Sequence, residues 1–243
     1  MELILVGVLV GFLSGFFGIG GGTILVPILL FLGFGMKEAV GISVTQMVFS
    51  SVYGSFLNLR NAIFKIHEGL ALGVGGAIGA LLSGYFVKVV PEKVLEYMFL
   101  AIVSFAFLRF FTKKVEEGKE ERDLPAAFLL LLGIFVGLIA ISIGVGGSIL
   151  ITPILVGIFH VNVKKAAAMG LFFVIFSSVS GFLSMSFFGH IDYLHGMLVG
   201  ASSLIGVYFG IKLAHKVEKS RFKKALVVMY GIILAMTIKK VFF

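Results

Sequence analysis

Eight apolar stretches, at about residues 3–34, 38–57, 69–87, 94–112, 126–159, 166–188, 196–211 and 225–238, take up most of this chain. Hydrophobic types make up 59% of its 243 residues and charged types 13%. Soluble domains carry roughly 45–50% and about 25%. A soluble core of this size could not hide so many apolar side chains, so a soluble globular fold is excluded. Disorder, which needs low hydrophobicity and high charge, is excluded as well. What remains is an all-α polytopic membrane protein built as a single transmembrane domain.

The chain has no cysteine, which rules out structural disulfides and thiolate metal sites. Its net charge is +8. In a soluble protein that balance would suggest nucleic acid. Here the basic residues lie between apolar segments, as they do in cytoplasmic loops of membrane proteins, so no nucleic-acid partner is expected. Met1, Glu2 and Leu3 lead straight into apolar sequence without the positive start of a secretory signal. The first segment therefore reads as a membrane element and not as a cleaved peptide.

The two halves of the chain resemble each other. The run Gly18-Ile-Gly-Gly-Gly-Thr-Ile-Leu-Val-Pro27-Ile-Leu29 aligns with Gly144-Val-Gly-Gly-Ser-Ile-Leu-Ile-Thr-Pro153-Ile-Leu155, with six of twelve positions identical. Phe49-Ser-Ser-Val-Tyr-Gly54 matches Phe176-Ser-Ser-Val-Ser-Gly181 in the same order. This is the mark of a duplication: repeat one at 1–112, a charged cytoplasmic linker at 113–125, and repeat two at 126–243.

Each repeat opens with an unusual segment. As one helix, residues 3–34 would be about 48 Å long, whereas the hydrocarbon core is roughly 30 Å thick. The glycine run at 18–22 lies mid-segment, where a helix continues least readily. Two half-helices, about 3–17 and 23–34, are expected, joined as a broken or re-entrant hairpin and followed by three transmembrane helices. A hairpin makes no net crossing, so three spans per repeat invert the second repeat. Lys and Arg then divide 15 to 5 between the two sides, but only 11 to 9 if each hairpin segment crosses once. The larger bias is the expected one, and it places the basic side in the cytoplasm and both termini outside the plasma membrane. Two tilted short spans in place of each hairpin would give the same sidedness.

Inverted repeats with broken helices are the architecture of many secondary transporters, whose site lies near the midplane at the repeat interface. A half-helix start exposes unpaired N–H groups and a partial positive charge, which suits an anion. Gly18, Gly20, Gly21, Gly22 and Thr23 would supply one tip, and Gly144, Gly146, Gly147 and Ser148 the other. The second segment of each repeat adds neutral hydrogen-bonding groups: Ser43, Thr45, Gln46, Ser50 and Ser51, then Ser177, Ser178 and Ser180. Neutral donors hold an anion without the grip of a fixed charge. The competing reading is close helix packing for the glycines and interhelical hydrogen bonding for the hydroxyls.

Other features read as structural. The pairs Gly75/Gly79, Gly196/Gly200 and Gly206/Gly210 have the spacing of helix-contact faces. His190, Asp192 and His195 read as a wet loop in preference to a metal site. Asn58, Arg60, Asn61 and His67 read as a cytoplasmic loop with a topogenic charge. Lys37 and Lys164, at corresponding positions, suit interfacial snorkelling. No acidic or basic residue falls clearly at mid-membrane, which disfavours a cation pump. A coupling ion is possible but unidentified, and neither cofactor nor metal is expected. Ser14 loosely suggests an intramembrane serine nucleophile, but no histidine accompanies it, so no enzymatic activity is expected.

The doubled glycine–proline motif, Gly41-Ile-Ser-Val after Ala39, and the run Gly76-Ala-Ile-Gly-Ala-Leu-Leu-Ser-Gly84 resemble the TauE/SafE family, often called sulfite exporters. The resemblance covers essentially the whole chain. It implies a polytopic transporter whose small anionic substrate is sulfite or an organosulfonate. A passive anion channel, or a carrier of another small organic anion, is the alternative. The chain departs from its own internal pattern at Gln46, which aligns with Phe173, so an asymmetric site is expected.

Overall fold

A computed structural model describes residues 2–61, 63, 66–112 and 125–242. Eleven helices are found among them: α1 (Glu2–Phe17), α2 (Gly22–Phe31), α3 (Met36–Arg60), α4 (Ile66–Ala80), α5 (Ser83–Val89), α6 (Glu92–Thr112), α7 (Ala126–Ser142), α8 (Ser148–Ile158), α9 (Val163–Phe187), α10 (Tyr193–Lys216) and α11 (Lys219–Phe242). The expected break of both long apolar segments is present, between α1 and α2 and between α7 and α8. Five stretches are long and apolar enough to span a membrane: α3, Gly69–Val89 (within α4 and α5), α9, α10 and α11. Most of the charged linker lies outside the described residues. Pro125, at its end, takes the N-cap position of α7, where its missing N–H costs nothing.

Packing pairs each half of the chain with the other. α1 lies in a groove of α10, and its counterpart α7 lies on α4. These seams use the glycines with small-residue spacing. Gly206 and Gly210 sit against the Val8 and Phe12 carbonyls, and Gly75 and Gly79 against those of Leu130 and Ile134. A Cβ at any of the four would overlap backbone. Lipid supplies no hydrophobic drive for helix association, so close backbone approach and dispersion hold such seams.

The contacts also fix helix directions. Gly11 lies at Ser203 and Gly15 at Val207, so α1 runs with α10. Thr45 lies at Gly196, Phe49 at Gly200 and Asn58 at His215, so α3 runs with α10 too. α3 and α9 run in opposite directions: Gly41 meets the His190 carbonyl, Ser51 meets Ser178, and Gly54 meets Leu171. α1 and α3 therefore point the same way, and α2 between them carries the chain back. Residues 18–21 are the tip of that hairpin. Gly21 lies beside Gln46, ten residues into α3, a depth of about 15 Å.

One break is absent from the sequence reading. The third segment of repeat one splits at Leu81–Leu82 into α4 and α5. Ser184 of α9 serves both sides of the split: its Oγ donates to the Leu81 carbonyl (2.6 Å) and accepts from the Gly84 N–H (3.0 Å). Ser83 donates to the Ala80 carbonyl at 2.7 Å. Backbone groups freed at membrane depth need such partners, and a serine about one hundred residues away supplies them.

Candidate functional site

The two tips repeat one backbone conformation. Gly18, Gly20 and Gly21 have φ of 70°, 77° and 84°, and Gly144, Gly146 and Gly147 have 73°, 81° and 88°. These left-handed values are strained for any residue with a Cβ, so the alternation of glycines is a conformational requirement. Each tip ends at a helix N-terminus, α2 behind Gly21 and α8 behind Gly147, and neither has a side-chain cap. The tips touch. Ser43 Oγ donates to the Gly144 carbonyl at 2.8 Å, and Thr23 Oγ1 to the Val145 carbonyl at 3.4 Å. A Cβ at Gly22 would overlap the Gly144 oxygen.

Most of the candidate hydroxyls already serve the tip backbone or their own helix. Ser50 donates to the Gly20 carbonyl at 3.2 Å, and Ser177, its counterpart, reaches the Gly146 carbonyl at 3.5 Å. Thr45 bonds back to Gly41 of its own helix at 3.0 Å. Ser51 and Ser178 meet each other across α3 and α9 at 3.5 Å. Ser180 is tied to the Ala77 carbonyl at 2.7 Å.

Two of the candidate-site side chains have no hydrogen-bond partner: Gln46, through both amide atoms, and Ser148. Both are fully buried. A Cβ on Gly21 would lie 2.5 Å from Gln46 Oε1, so the amide is packed onto the first tip. At the second tip Phe173 holds the equivalent place, with its ring edge 2.5 Å from a Cβ on Gly147. Between the tips stand Met47 and Val174, an equivalent pair that borders both Gly20 and Gly146. Sequence reasoning missed Met47 because a methionine on an apolar helix carries no signal of its own. It also missed Thr152, buried without a hydroxyl partner one turn beyond Ser148.

Elsewhere the structure corrects or refines the reading. Asn58 and Arg60 are not loop residues but belong to the last turns of α3. Asn58 is buried and pairs through Oδ1 with His215 Nε2 at 3.4 Å. The His67 side chain lies outside the described residues. Lys37 and Lys164 make equivalent straps, to the Lys88 carbonyl at 3.2 Å and the His215 carbonyl at 3.4 Å. Asp192 caps α10 by accepting from the His195 N–H at 3.0 Å. Burial raises the Asp192 pKa, but the hydrogen bonds and charge of His195 outweigh it and hold the carboxyl below its ordinary value. His190 is pushed below the ordinary imidazole range by burial, then by Lys37 and Lys88. No group able to hold a metal ion occurs among the described residues. Ser14 Oγ is buried without a hydrogen-bond partner.

Relatives span the same length. A "Probable membrane transporter protein YdhB" of Bacillus subtilis is 24% identical over 232 residues, covering 93% of this chain and 95% of the relative. The similarly described MJ0441 of Methanocaldococcus jannaschii is 26% identical, covering 96% and 91%. ORF9 of a Sinorhizobium species, with the same description, is 27% identical, covering 93% and 86%. No solved structure matches the chain significantly. The family model "Sulfite exporter TauE/SafE" matches residues 3–237, so this multi-pass membrane chain belongs to the TauE/SafE family.

Proposed function

We propose that the chain is a secondary transporter of sulfite or small organosulfur anions, with its substrate bound between the two glycine-rich tips and access alternating as one repeat rocks against the other. The observation that carries this reading is the meeting of two uncapped helix N-termini, next to buried Gln46 and Ser148 side chains with no partner. Partial positive charge and spare donors at one point are what a desolvated oxyanion needs. Gln46 Nε2, Ser148 Oγ and the N–H groups after Gly21 and Gly147 are the direct ligands in this reading. Ser50, Ser51, Thr45, Ser177 and Ser178 position them. The opposed directions of α3 and α9, and the return of α2 alongside α3, support inverted repeats, and the 15-to-5 division of Lys and Arg supports cytoplasmic basic loops and external termini. Met47 and Val174 between the tips favour a carrier over an open channel, since an anion cannot pass without displacing them.

Flux of radiolabelled sulfite into proteoliposomes tests the reading, with unlabelled sulfite, sulfoacetate, sulfate or chloride as competitor. Saturable flux that sulfoacetate blocks and chloride does not is the expected result. Folded protein that gives no flux above empty liposomes, under several imposed ion gradients, would refute sulfite as substrate.

A further inference from the structure

A cavity of about 290 Å³ lies at the end of the bundle where α3 and α10 finish and α9 and α11 begin. It reaches Gly15 and Gly18, at the foot of the first tip. That volume is at the lower end of the range for small-ligand sites, roughly 300–1,000 Å³. Its polar lining is Asn58, Asn61, Lys164 and His215, and among the described residues no acidic side chain lines it. The remaining wall is glycine and apolar, with the rings of Phe16 and Phe222 as its largest parts. A second cavity of about 380 Å³ shares Asn61 and His215 and adds Arg60, Lys212 and Lys216.

The polar groups have capacity to spare. Lys164 uses one N–H on the His215 carbonyl, which leaves two. Asn58 meets His215 through its oxygen, which leaves its NH2, a double donor, for an acceptor. The opposite end of the bundle repeats the lysine strap, Lys37 to the Lys88 carbonyl, but not the polar wall. By the internal repeat, Asn58 corresponds to Met185, which is fully buried, and Asn61 to Phe188. There Gly41 packs directly on the His190 carbonyl. One end of a duplicated scaffold has thus kept a hollow lined by donors, while apolar side chains occupy the equivalent positions of the other.

We propose that this cavity is an access site for a small amphipathic organic anion, its acidic head held by Lys164, Asn58 and Asn61 and its hydrocarbon body set against Phe16 and Phe222. A bare inorganic oxyanion would leave the apolar wall unused. The second cavity, with its three cations, draws anions to the mouth. The inference deepens the transport reading and rests on it for the onward route past Gly18, but the binding it requires is separate from flux.

Calorimetry on the purified full chain in lipid nanodiscs tests it, with sodium sulfite and the methane-, ethane- and propanesulfonates as probes. Affinity should rise about fourfold for each added methylene, with sulfite the weakest. Lys164→Gln should weaken every alkanesulfonate by about tenfold or more, while Lys37→Gln should leave them unchanged. Affinity flat along the series, or unchanged in Lys164→Gln, would overturn the proposal even if flux persists. Alkanesulfonate binding with the expected series, in a wild-type chain that transports none of the probes, would refute the transport reading and leave the cavity site standing.

Discussion

Replacing Gln46 with leucine separates stability from transport at the centre of the molecule. The two side chains are close in volume, so the substitution leaves little cavity. Gln46 is fully buried, and neither of its amide atoms has a partner. Holding an unpaired amide out of water costs about 1–3 kcal/mol in protein mutational data. Leucine removes that cost at a site where the amide now packs on Gly21. A gain of about 2 kcal/mol corresponds to roughly 4–8 °C in midpoint for a domain of this size. The leucine variant should therefore melt higher by light scattering or by a dye-free thermal scan of the detergent-solubilised protein. In proteoliposomes it should lose saturable sulfite flux, because the tip is left without its one side-chain amide. Gln46→Glu, which keeps the shape but adds a negative charge, should lose flux without gaining stability. A leucine variant that melts lower than wild type, or that transports normally, would refute the reasoning that the amide is held unpaired for a ligand.

Three further outcomes are expected. Met47→Ala removes the sulfur between the tips, which should cost about 2–5 kcal/mol and raise passive sulfite leak from loaded liposomes, whereas Met47→Leu should resemble wild type; a tight alanine variant would count against Met47 as the barrier. Gly206→Leu places a side chain on the Val8 carbonyl and should abolish the monodisperse species in size exclusion, whereas Val228→Leu, on a position 62% exposed, should not; a well-behaved Gly206→Leu would contradict the α1–α10 seam. His190 titrates lower in the folded chain than its ordinary value, because of burial and then of Lys37 and Lys88. The unfolded chain then binds more protons in that window, so stability rises with pH there. The contribution is complete above about pH 6.5 and is lost as pH falls from there through the folded value. His190→Gln should flatten part of that slope in a thermal scan series, and an unchanged slope would refute it.

The broken segments were legible because their cause is local. Glycine permits the left-handed turn that ends a helix, and the doubled spacing of Gly18, Gly20 and Gly21 with Gly144, Gly146 and Gly147 marks the same turn twice. The contact glycines at 75, 79, 206 and 210 were legible for the same reason, since spacing on a helix sets a face. The hydroxyls were not. Whether Ser50 faces a ligand or the Gly20 carbonyl depends on where the tip's peptide planes point, and residues thirty positions apart determine that together. The break at Leu81–Leu82 was hidden because its partner, Ser184, lies in the other repeat. Asn58 and Arg60 looked like loop residues because they are polar, yet α3 runs 25 residues, about 38 Å, and carries them as helix beyond the thickness of a bilayer core.

Several positions that match between the two halves share one task. Ser50 and Ser177 hold equivalent tip carbonyls, Lys37 and Lys164 strap equivalent helix ends, and α1 and α7 lie in equivalent glycine grooves. These residues hold backbone to backbone in both halves. Among the positions that differ, five pairs border the tips or the open cavity: Gln46 against Phe173, Met47 against Val174, Gly22 against Ser148, Asn58 against Met185, and Asn61 against Phe188. A symmetric scaffold gives the proposed rocking motion two arrangements of nearly equal packing energy. Side chains that differ between the halves then decide which arrangement an anion stabilises, because a ligand shifts such a balance only through contacts that differ between the two states. By this argument, changing Phe173 to glutamine should alter which face loads substrate more than it alters the fold. Changing Ser177 to alanine should do the reverse, because it frees the Gly146 carbonyl that orients the second tip.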